Sequence, residues 1–183
     1  NRYITEAEFS ELAAFIRREG VVRRFARGER LSGQGLRSHR CGLVVQGAFR
    51  YVYADAAGEE HVVGYAFAGE FVGDYISMCV DAPSQVTIGA MCGAEALLVP
   101  GERLETFYRT DAACERLGRR LAEHMLAEVY ERLLDRYAAS PQQRYEALTE
   151  RCPDVLQLVP LRELASYLGV RPETLSRIRR RVR

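Results

Sequence analysis

The sequence predicts an α+β fold in which a β-rich N-terminal part precedes one long helix and a C-terminal helix-turn-helix. Short β-prone runs separated by glycines fill residues 20–101, and residues 111–138 are rich in the helix formers Ala, Leu, Glu and Arg. Residues 160–181 contain two short helices with apolar faces, joined at a glycine, which is the pattern of a helix-turn-helix. We expect three domains, with boundaries 1–110, 111–139 and 140–183.

The composition is that of a soluble globular protein, with 48% hydrophobic and 28% charged residues in a chain of 183. We find no apolar run near the roughly 20 residues that span a membrane, and no secretory signal, which predicts a cytoplasmic protein. The five cysteines are scattered without a CxxC pair, which disfavours a zinc or iron–sulfur site. The sequence therefore identifies no certain cofactor, and a small-molecule effector stays unknown.

Charge is distributed unevenly along the chain. All 26 basic residues are arginine, which we attribute to codon bias, so their number alone says little about nucleic acid. Residues 140–183 hold nine arginines and five acidic residues, a net charge of +4, whereas residues 1–139 carry −3. Positive charge is thus concentrated where binding to phosphates would need it.

The β-rich part begins after a helical N-terminal segment. Apolar residues at three- and four-residue steps predict one or two helical turns over residues 3–18. Thirteen of the fifteen glycines fall between residues 20 and 101, where they separate short strands and favour a sandwich or barrel. Asp55–Gly58 has the composition of a hairpin turn. The predicted strands are 21–26, 43–46, 48–53, 60–67, 85–91 and 95–99.

After a short helix at Glu102–Tyr108, the long helix over 111–138 carries two apolar stripes at helical spacing. We expect one stripe to pack on the β-rich part and the other on the same helix of a second copy, giving a two-fold homodimer. A helix buried within one subunit is the alternative. The predicted dimer interface consists of Leu117, Leu121, Met125, Leu126, Val129 and Leu133.

The last 44 residues predict a helix that begins with Ser140 as N-cap and Pro141, followed by the helix-turn-helix. Leu161, Leu164, Ala165 and Leu168 form the apolar face of its first helix. Gly169 suits the tight turn, and Leu175 and Ile178 face inward from the second helix. The side chains predicted to face outward are Arg171, Glu173, Thr174, Ser176, Arg177, Arg179 and Arg180. An ordinary surface hairpin with a solvated basic face is the alternative interpretation.

The order of these parts, together with a set of local motifs, resembles the cyclic-AMP-receptor/FNR (Crp/Fnr) family of bacterial transcription regulators. The resemblance implies a jelly-roll effector domain, a dimerisation helix and a DNA-binding helix-turn-helix. It also implies double-stranded DNA, a second copy of the chain and RNA polymerase as partners, and no enzymatic activity. The segments that carry it are 25–29, 43–51, 58–60, 67–74 and 164–178.

The resemblance places an effector site at Gly69, Glu70 and Ser84. In members that bind cyclic nucleotides, a Gly-Glu pair receives the ribose hydroxyl and an Arg-Ser pair holds the phosphate. Gly69 and Glu70 match the first pair, but Pro83 replaces the arginine before Ser84. Because proline offers neither charge nor an N–H donor, cyclic AMP is disfavoured and the effector stays unidentified.

In the second helix of the motif, the resemblance assigns base contacts to Glu173 and Arg177, with Thr174 and Ser176 nearby. Glu accepts from cytosine and Arg pairs with guanine, so these residue types suit the role. A third base-contacting position of well-known members is Pro172 here, which predicts a different operator. Contacts to phosphates are expected from Arg162, Arg171, Arg179, Arg180 and Arg181.

Two other functions compete with a DNA-binding regulator. The β-rich part could hold a metal-dependent active site, but only His39 and His61 lie there, without an HxH pair. The chain could also be an effector-binding or protein-interaction module that no longer reads DNA. Binding to DNA separates this second alternative from a regulator.

Overall fold

The computed structural model describes residues 4–37 and 39–182. Its strands are β1 Val21–Phe25, β2 Arg30–Ser32, β3 Arg40–Gln46, β4 Ala48–Ala54, β5 Glu60–Phe67, β6 Phe71–Gly73, β7 Thr87–Ala90 and β8 Ala94–Pro100. Its helices are α1 Ser10–Glu19, α2 Tyr75–Cys79, α3 Gly101–Tyr108, α4 Ala112–Ala138, α5 Pro141–Arg151, α6 Val155–Leu158, α7 Leu161–Tyr167 and α8 Pro172–Val182. Within these residues, none of the helices combines the length and the apolar character needed to cross a membrane.

The eight strands form two antiparallel four-stranded sheets, in the orders β1-β8-β3-β6 and β2-β7-β4-β5. Apolar side chains from both sheets meet between them, as in a sandwich whose strands alternate inward and outward residues. Phe25 of one sheet lies edge-to-face on Phe49 of the other, with ring centroids 5.1 Å apart. This jelly roll confirms the predicted β-rich N-terminal part and the α+β fold class.

The predicted elements match the observed ones wherever the chain is long and periodic. The hairpin turn between β4 and β5 forms as expected, with Gly58 at φ 83° and with Asp55 Oδ1 accepting from the N–H of Ala57 and Glu59. The N-terminal helix is shorter than expected and begins at Ser10; residue 3 of that prediction lies outside the described residues. The elements not foreseen are β2, β6, α2 and α6, each with only three to five residues.

The long helix α4 divides into a buried half and an exposed half. Asp111 caps its start by accepting from the N–H of Ala113 and Cys114. Leu117 and Leu121 are each 5% exposed and pack with α1, β8 and α3 of the same chain. Their assignment to a dimer interface is therefore wrong, because these two side chains are buried against elements of the same subunit.

The C-terminal helices pack on the roll rather than standing apart from it. Ser140 forms a capping box with Gln143 at the start of α5, as Ser-Pro predicts. One hydrophobic core contains Tyr65 and Phe67 of β5 together with Leu148 of α5 and Leu164 of α7. The helix-turn-helix is therefore docked against the sheet that contains β5.

Candidate DNA-reading face and effector cavity

The turn between α7 and α8 has the geometry that a helix-turn-helix needs. Gly169 has φ 67°, a left-handed conformation that a side chain disfavours. The N–H of Val170 donates to the Ala165 carbonyl at 2.9 Å, and that of Gly169 to Ser166 at 3.0 Å. These two bonds form a Schellman motif, which ends α7 and redirects the chain into α8.

Helix α8 separates its residues cleanly into a buried face and a basic face. Leu175 is fully buried and Ile178 is 8% exposed, and both belong to the core that α5 and α7 share. Thr174, Ser176 and Arg179 are half-buried beside them. The exposed members of the predicted reading face are Arg171, Glu173, Arg177, Arg180 and Arg181, with Arg162 exposed on α7. The predicted face thus lies in solvent, available to a partner.

A cavity of about 380 Å³ lies between the roll, α1 and α4, and one side chain of α5 reaches it. Most of its lining is apolar, including Leu12, Leu121 and Met125. Tyr51 and Cys41 also line it, and burial raises the pKa of each to about 12. Both side chains therefore stay neutral at physiological pH, and the charge at the cavity comes from Glu70, Asp74, Glu128, Arg132 and Arg151.

Glu70, the predicted effector ligand, lines this cavity but is already engaged by the protein. Arg151 of α5 donates from Nε to Oε1 at 2.8 Å and from Nη2 to Oε2 at 2.6 Å. The N–H of Phe67 also donates to Oε2, at 3.0 Å. Both ion-pair side chains are nearly inaccessible, at 6% and 9% exposure. A bidentate pair of this kind is the strong form of an arginine–carboxylate contact.

The other two predicted effector residues do not line the cavity. Gly69, at φ 82°, forms the turn before β6, and its N–H donates to the Val44 carbonyl. Ser84 is buried, and its hydroxyl donates to Asp74 Oδ2 at 2.5 Å. The structure therefore does not bring Gly69, Glu70 and Ser84 to one surface of the cavity.

The remaining charged groups at the cavity are also paired within the chain. Arg132 of α4 donates to the Val63 carbonyl at 2.9 Å and lies 3.2 Å from Glu128. Asp74 caps α2 by accepting from the N–H of Ser77. Sequence analysis did not find Arg151 or Arg132, since a lone arginine in a helix ordinarily indicates a solvated surface.

Two further contacts join the roll to the helix-turn-helix. Arg50 of β4 pairs with Glu163 of α7 at 2.7 Å. The rings of Tyr65 and Tyr167 meet edge-to-face with centroids 4.8 Å apart. Together with the Glu70–Arg151 pair, they link α5 and α7 to β4, β5 and the turn before β6.

The histidines considered for a metal site lie apart from one another. His61 sits in the exposed hairpin, where its hydrogen bond to Asp55 at 2.8 Å lowers the pKa of that carboxyl. His39 lies 3.6 Å from Asp81. Across residues 4–37 and 39–182, we find no cluster of three or more His, Cys, Asp or Glu side chains that could hold a metal ion.

Comparison with known proteins adds a family model and several similar structures. Residues 22–111 match the cyclic nucleotide-binding domain. No curated protein sequence matches the chain. FixK2 from Bradyrhizobium japonicum has a similar structure, with a TM-score of 0.75, 18% identity, and coverage of 89% of this chain and 84% of that one.

Two other solved structures share the fold over most of their length. Catabolite Activator Protein from Thermus thermophilus has a TM-score of 0.58 and 20% identity, covering 96% of this chain and 82% of that one. A transcriptional regulator assigned to the Crp/Fnr family, from Eubacterium rectale, has a TM-score of 0.66 and 15% identity, covering 91% and 80%. The likeness thus extends over both the roll and the C-terminal helices.

Proposed function

We propose that this chain is a transcription regulator of the Crp/Fnr family, whose members generally bind DNA as dimers. As a homodimer, it reads an inverted repeat through α8. In this proposal residues 140–183 bind DNA, 111–139 join the two copies, and 1–110 sense an effector. Glu173 and Arg177 contact bases, with Thr174 and Ser176 nearby. Contacts to phosphates come from Arg162, Arg171, Arg179, Arg180 and Arg181. The protein acts in the bacterial cytoplasm, where it also meets RNA polymerase.

The observation that carries this proposal is the division of α8 into two faces. The core holds Leu175 and Ile178, so the helix cannot rotate to bury its arginines. Arg177 and Arg180 are exposed on the opposite face. Exposed arginines held on a rigid helix suit phosphates and guanine edges, because the guanidinium offers several donors in a fixed plane.

The second half of α4 supports the homodimer. Six large apolar residues on it are between 46% and 85% exposed, which is unusual for a single helix in water. They are Leu126, Val129, Tyr130, Leu133, Leu134 and Tyr137. Pairing α4 with its copy would cover this surface and relate the two α8 helices by a two-fold axis. Leu126, Val129 and Leu133 therefore remain in the proposed interface, and Met125 lies at its edge because it is half-buried, whereas Val129 is 61% exposed.

The cavity is the proposed effector site, but its chemistry does not favour a cyclic phosphate. A buried phosphate needs a cation of its own, whereas Arg151 is bound to Glu70 and to the Tyr65 carbonyl, and Arg132 to Glu128 and to the Val63 carbonyl. The proposed site therefore uses Glu70 and the apolar lining, with Gly69 and Ser84 shaping the roll around them.

Selection from random double-stranded DNA tests the function directly. We expect enrichment of an inverted repeat whose half-sites lie about 34 Å apart, the spacing of one helical turn. The affinity of the selected site is expected to fall steeply with salt, since several phosphates are neutralised. Binding that is absent, or equal for all sequences, would instead favour the protein-interaction module.

A further inference from the structure

Arg151 occupies an unusual position for a residue of the C-terminal helices. It is the last residue of α5, yet its guanidinium lies in the roll, where it holds both oxygens of Glu70. It also donates to the Tyr65 carbonyl at 2.9 Å and lies over the ring of Phe67, 5.1 Å from the centroid. A single side chain thus ties the helix before the helix-turn-helix to the wall of the cavity.

The pair is also part of a larger docked surface. Arg50 and Glu163 lie on the same interface, and Tyr65 contacts both Arg151 and Tyr167. Displacement of Arg151 would therefore disturb the carbonyl and the ring on which α7 rests. Contacts that share partners loosen together rather than independently.

We propose that Arg151 and an effector compete for Glu70, so that an effector bound in the cavity releases the DNA-binding helices from the roll. This inference rests on the proposed function of the cavity and gives that site its mode of regulation. Glu70 is the shared element because it lines the cavity and at the same time holds α5. An effector bound in the cavity therefore breaks the contact that holds α5, and α8 changes its position together with α5.

The same geometry specifies the chemical class of the effector. Once Arg151 leaves, the Glu70 carboxylate is buried without its counter-charge, which is strongly unfavourable. The ligand must supply that charge, because the other cation at the cavity, Arg132, is paired with Glu128, and the acidic Asp74 also lines the cavity. Apolar walls surround these groups. The proposed effector is therefore a small nitrogen cation, an amine or guanidine, on an apolar body, and not a phosphate or carboxylate.

A single tryptophan gives a readout of docking, because the chain contains none. In the full chain with Tyr167→Trp, the indole replaces the ring that packs on Tyr65. Its emission is expected to move to longer wavelength when α7 leaves the roll.

Two variants of the ion pair are expected to cause this shift. Glu70→Gln retains an acceptor for the Phe67 N–H, and Arg151→Gln removes the other partner. Glu95→Gln, which breaks the exposed Arg24–Glu95 pair within the roll, is the matched control and is expected to leave the emission unchanged.

The ligand class is tested with n-butylguanidinium, and with butyrate as an anion of similar apolar length. We expect butylguanidinium to produce the shift in the Tyr167→Trp protein, butyrate to produce none, and Glu70→Gln to abolish the response. An emission unchanged in both Glu70→Gln and Arg151→Gln would overturn the competition. A response to butyrate, or one to butylguanidinium that survives Glu70→Gln, would overturn the assigned ligand class.

These measurements contain no DNA, so they fail independently of the proposed function. If the emission responds as expected but no DNA sequence is selected, the regulator assignment fails and the competition for Glu70 stands. If DNA is selected but the emission does not respond, only the competition fails. Circular dichroism on each variant identifies any that does not fold. If one of Glu70→Gln and Arg151→Gln is unfolded, the emission of the other decides the outcome.

Discussion

Arg50 of β4 and Glu163 of α7 form an ion pair with a nitrogen–oxygen distance of 2.7 Å across the boundary between the roll and the helix-turn-helix. The two residues are 113 positions apart in sequence. Glu163 is largely shielded, whereas Arg50 is about one-third exposed, so solvent screens part of their attraction. The pair therefore orients the docked helices more than it stabilises the fold.

Loss of this pair is expected to have a small effect on stability. We predict that Glu163→Gln lowers the free energy of unfolding by about 1 kcal/mol, since the amide keeps a hydrogen bond but loses the charge. Urea denaturation measures the change. Glu95→Gln, at a more exposed pair within the roll, is expected to cost less than about 0.5 kcal/mol. A loss of several kcal/mol from Glu163→Gln would contradict this picture and indicate a strongly desolvated pair.

We predict different effects on DNA binding for the substitution of two arginines on α8. Arg177→Ala is expected to cost about 1–3 kcal/mol of binding to the selected site and to relax preference at one base position. Arg180→Ala is expected to weaken all sequences by similar amounts and to reduce the salt slope, because it removes a phosphate contact. Titrations on the selected site and on a scrambled duplex distinguish the two effects.

Arg27→Ala provides the matched control for these DNA titrations, because it removes the same charge from an exposed turn of the roll. It is expected to bind both duplexes as the unchanged protein does. Equal losses for all three variants would show that net charge, and not the face of α8, governs binding.

The two halves of α4 are expected to respond differently to substitution. Leu133→Glu places a charge on the exposed apolar stripe, so it should convert the homodimer into folded monomers. Leu117→Ala removes a buried side chain and should instead cost about 2–5 kcal/mol of stability without changing the oligomeric state. Sedimentation velocity and thermal unfolding measure the two properties. A Leu133→Glu protein that sediments as a dimer would place the interface elsewhere.

Gly169 has room for a larger side chain, but its backbone conformation disfavours one. A Cβ atom at this position would meet nothing within 4 Å, so the cost of Gly169→Ala comes from φ 67° alone. We expect a loss of about 1–2 kcal/mol in the free energy of unfolding, and a smaller loss for Gly169→Asn, since asparagine accepts this conformation more readily. If alanine cost nothing in denaturant titrations, the turn would have another backbone conformation.

Half-buried Cys41 is expected to be far less reactive than exposed Cys79. Burial raises the pKa of the Cys41 thiol to about 12, so only on the order of one thiol in ten thousand is ionised at pH 8. Its neutral form favours folding below the unfolded pKa near 8.5–9, and this contribution is lost as the pH rises towards 12. Iodoacetamide at pH 8 followed by mass spectrometry should find Cys79 alkylated first, and Cys41 only after denaturant is added. Similar rates at both thiols would mean that the roll opens near β3.

Several features of the fold could be predicted from residues that act locally. Ser140 and Pro141 start α5 because capping needs only a hydroxyl and a fixed φ within one turn. Gly169 marks the helix-turn-helix turn for a similar local reason. The short strands β2 and β6 could not be predicted, since three residues are too few to show a period and their pairing partners lie far away in sequence.

The candidate sites divide in the same way. The sequence by itself determined the class of the fold and the two faces of α8, because helical spacing places Leu175 and Ile178 opposite the arginines whatever surrounds them. Only the tertiary structure decided that Arg151 reaches the cavity and binds Glu70, and that Leu117 and Leu121 pack within their own subunit. A periodic pattern predicts which residues share a face of a helix. The surface that covers this face depends on contacts between residues that are distant in the chain.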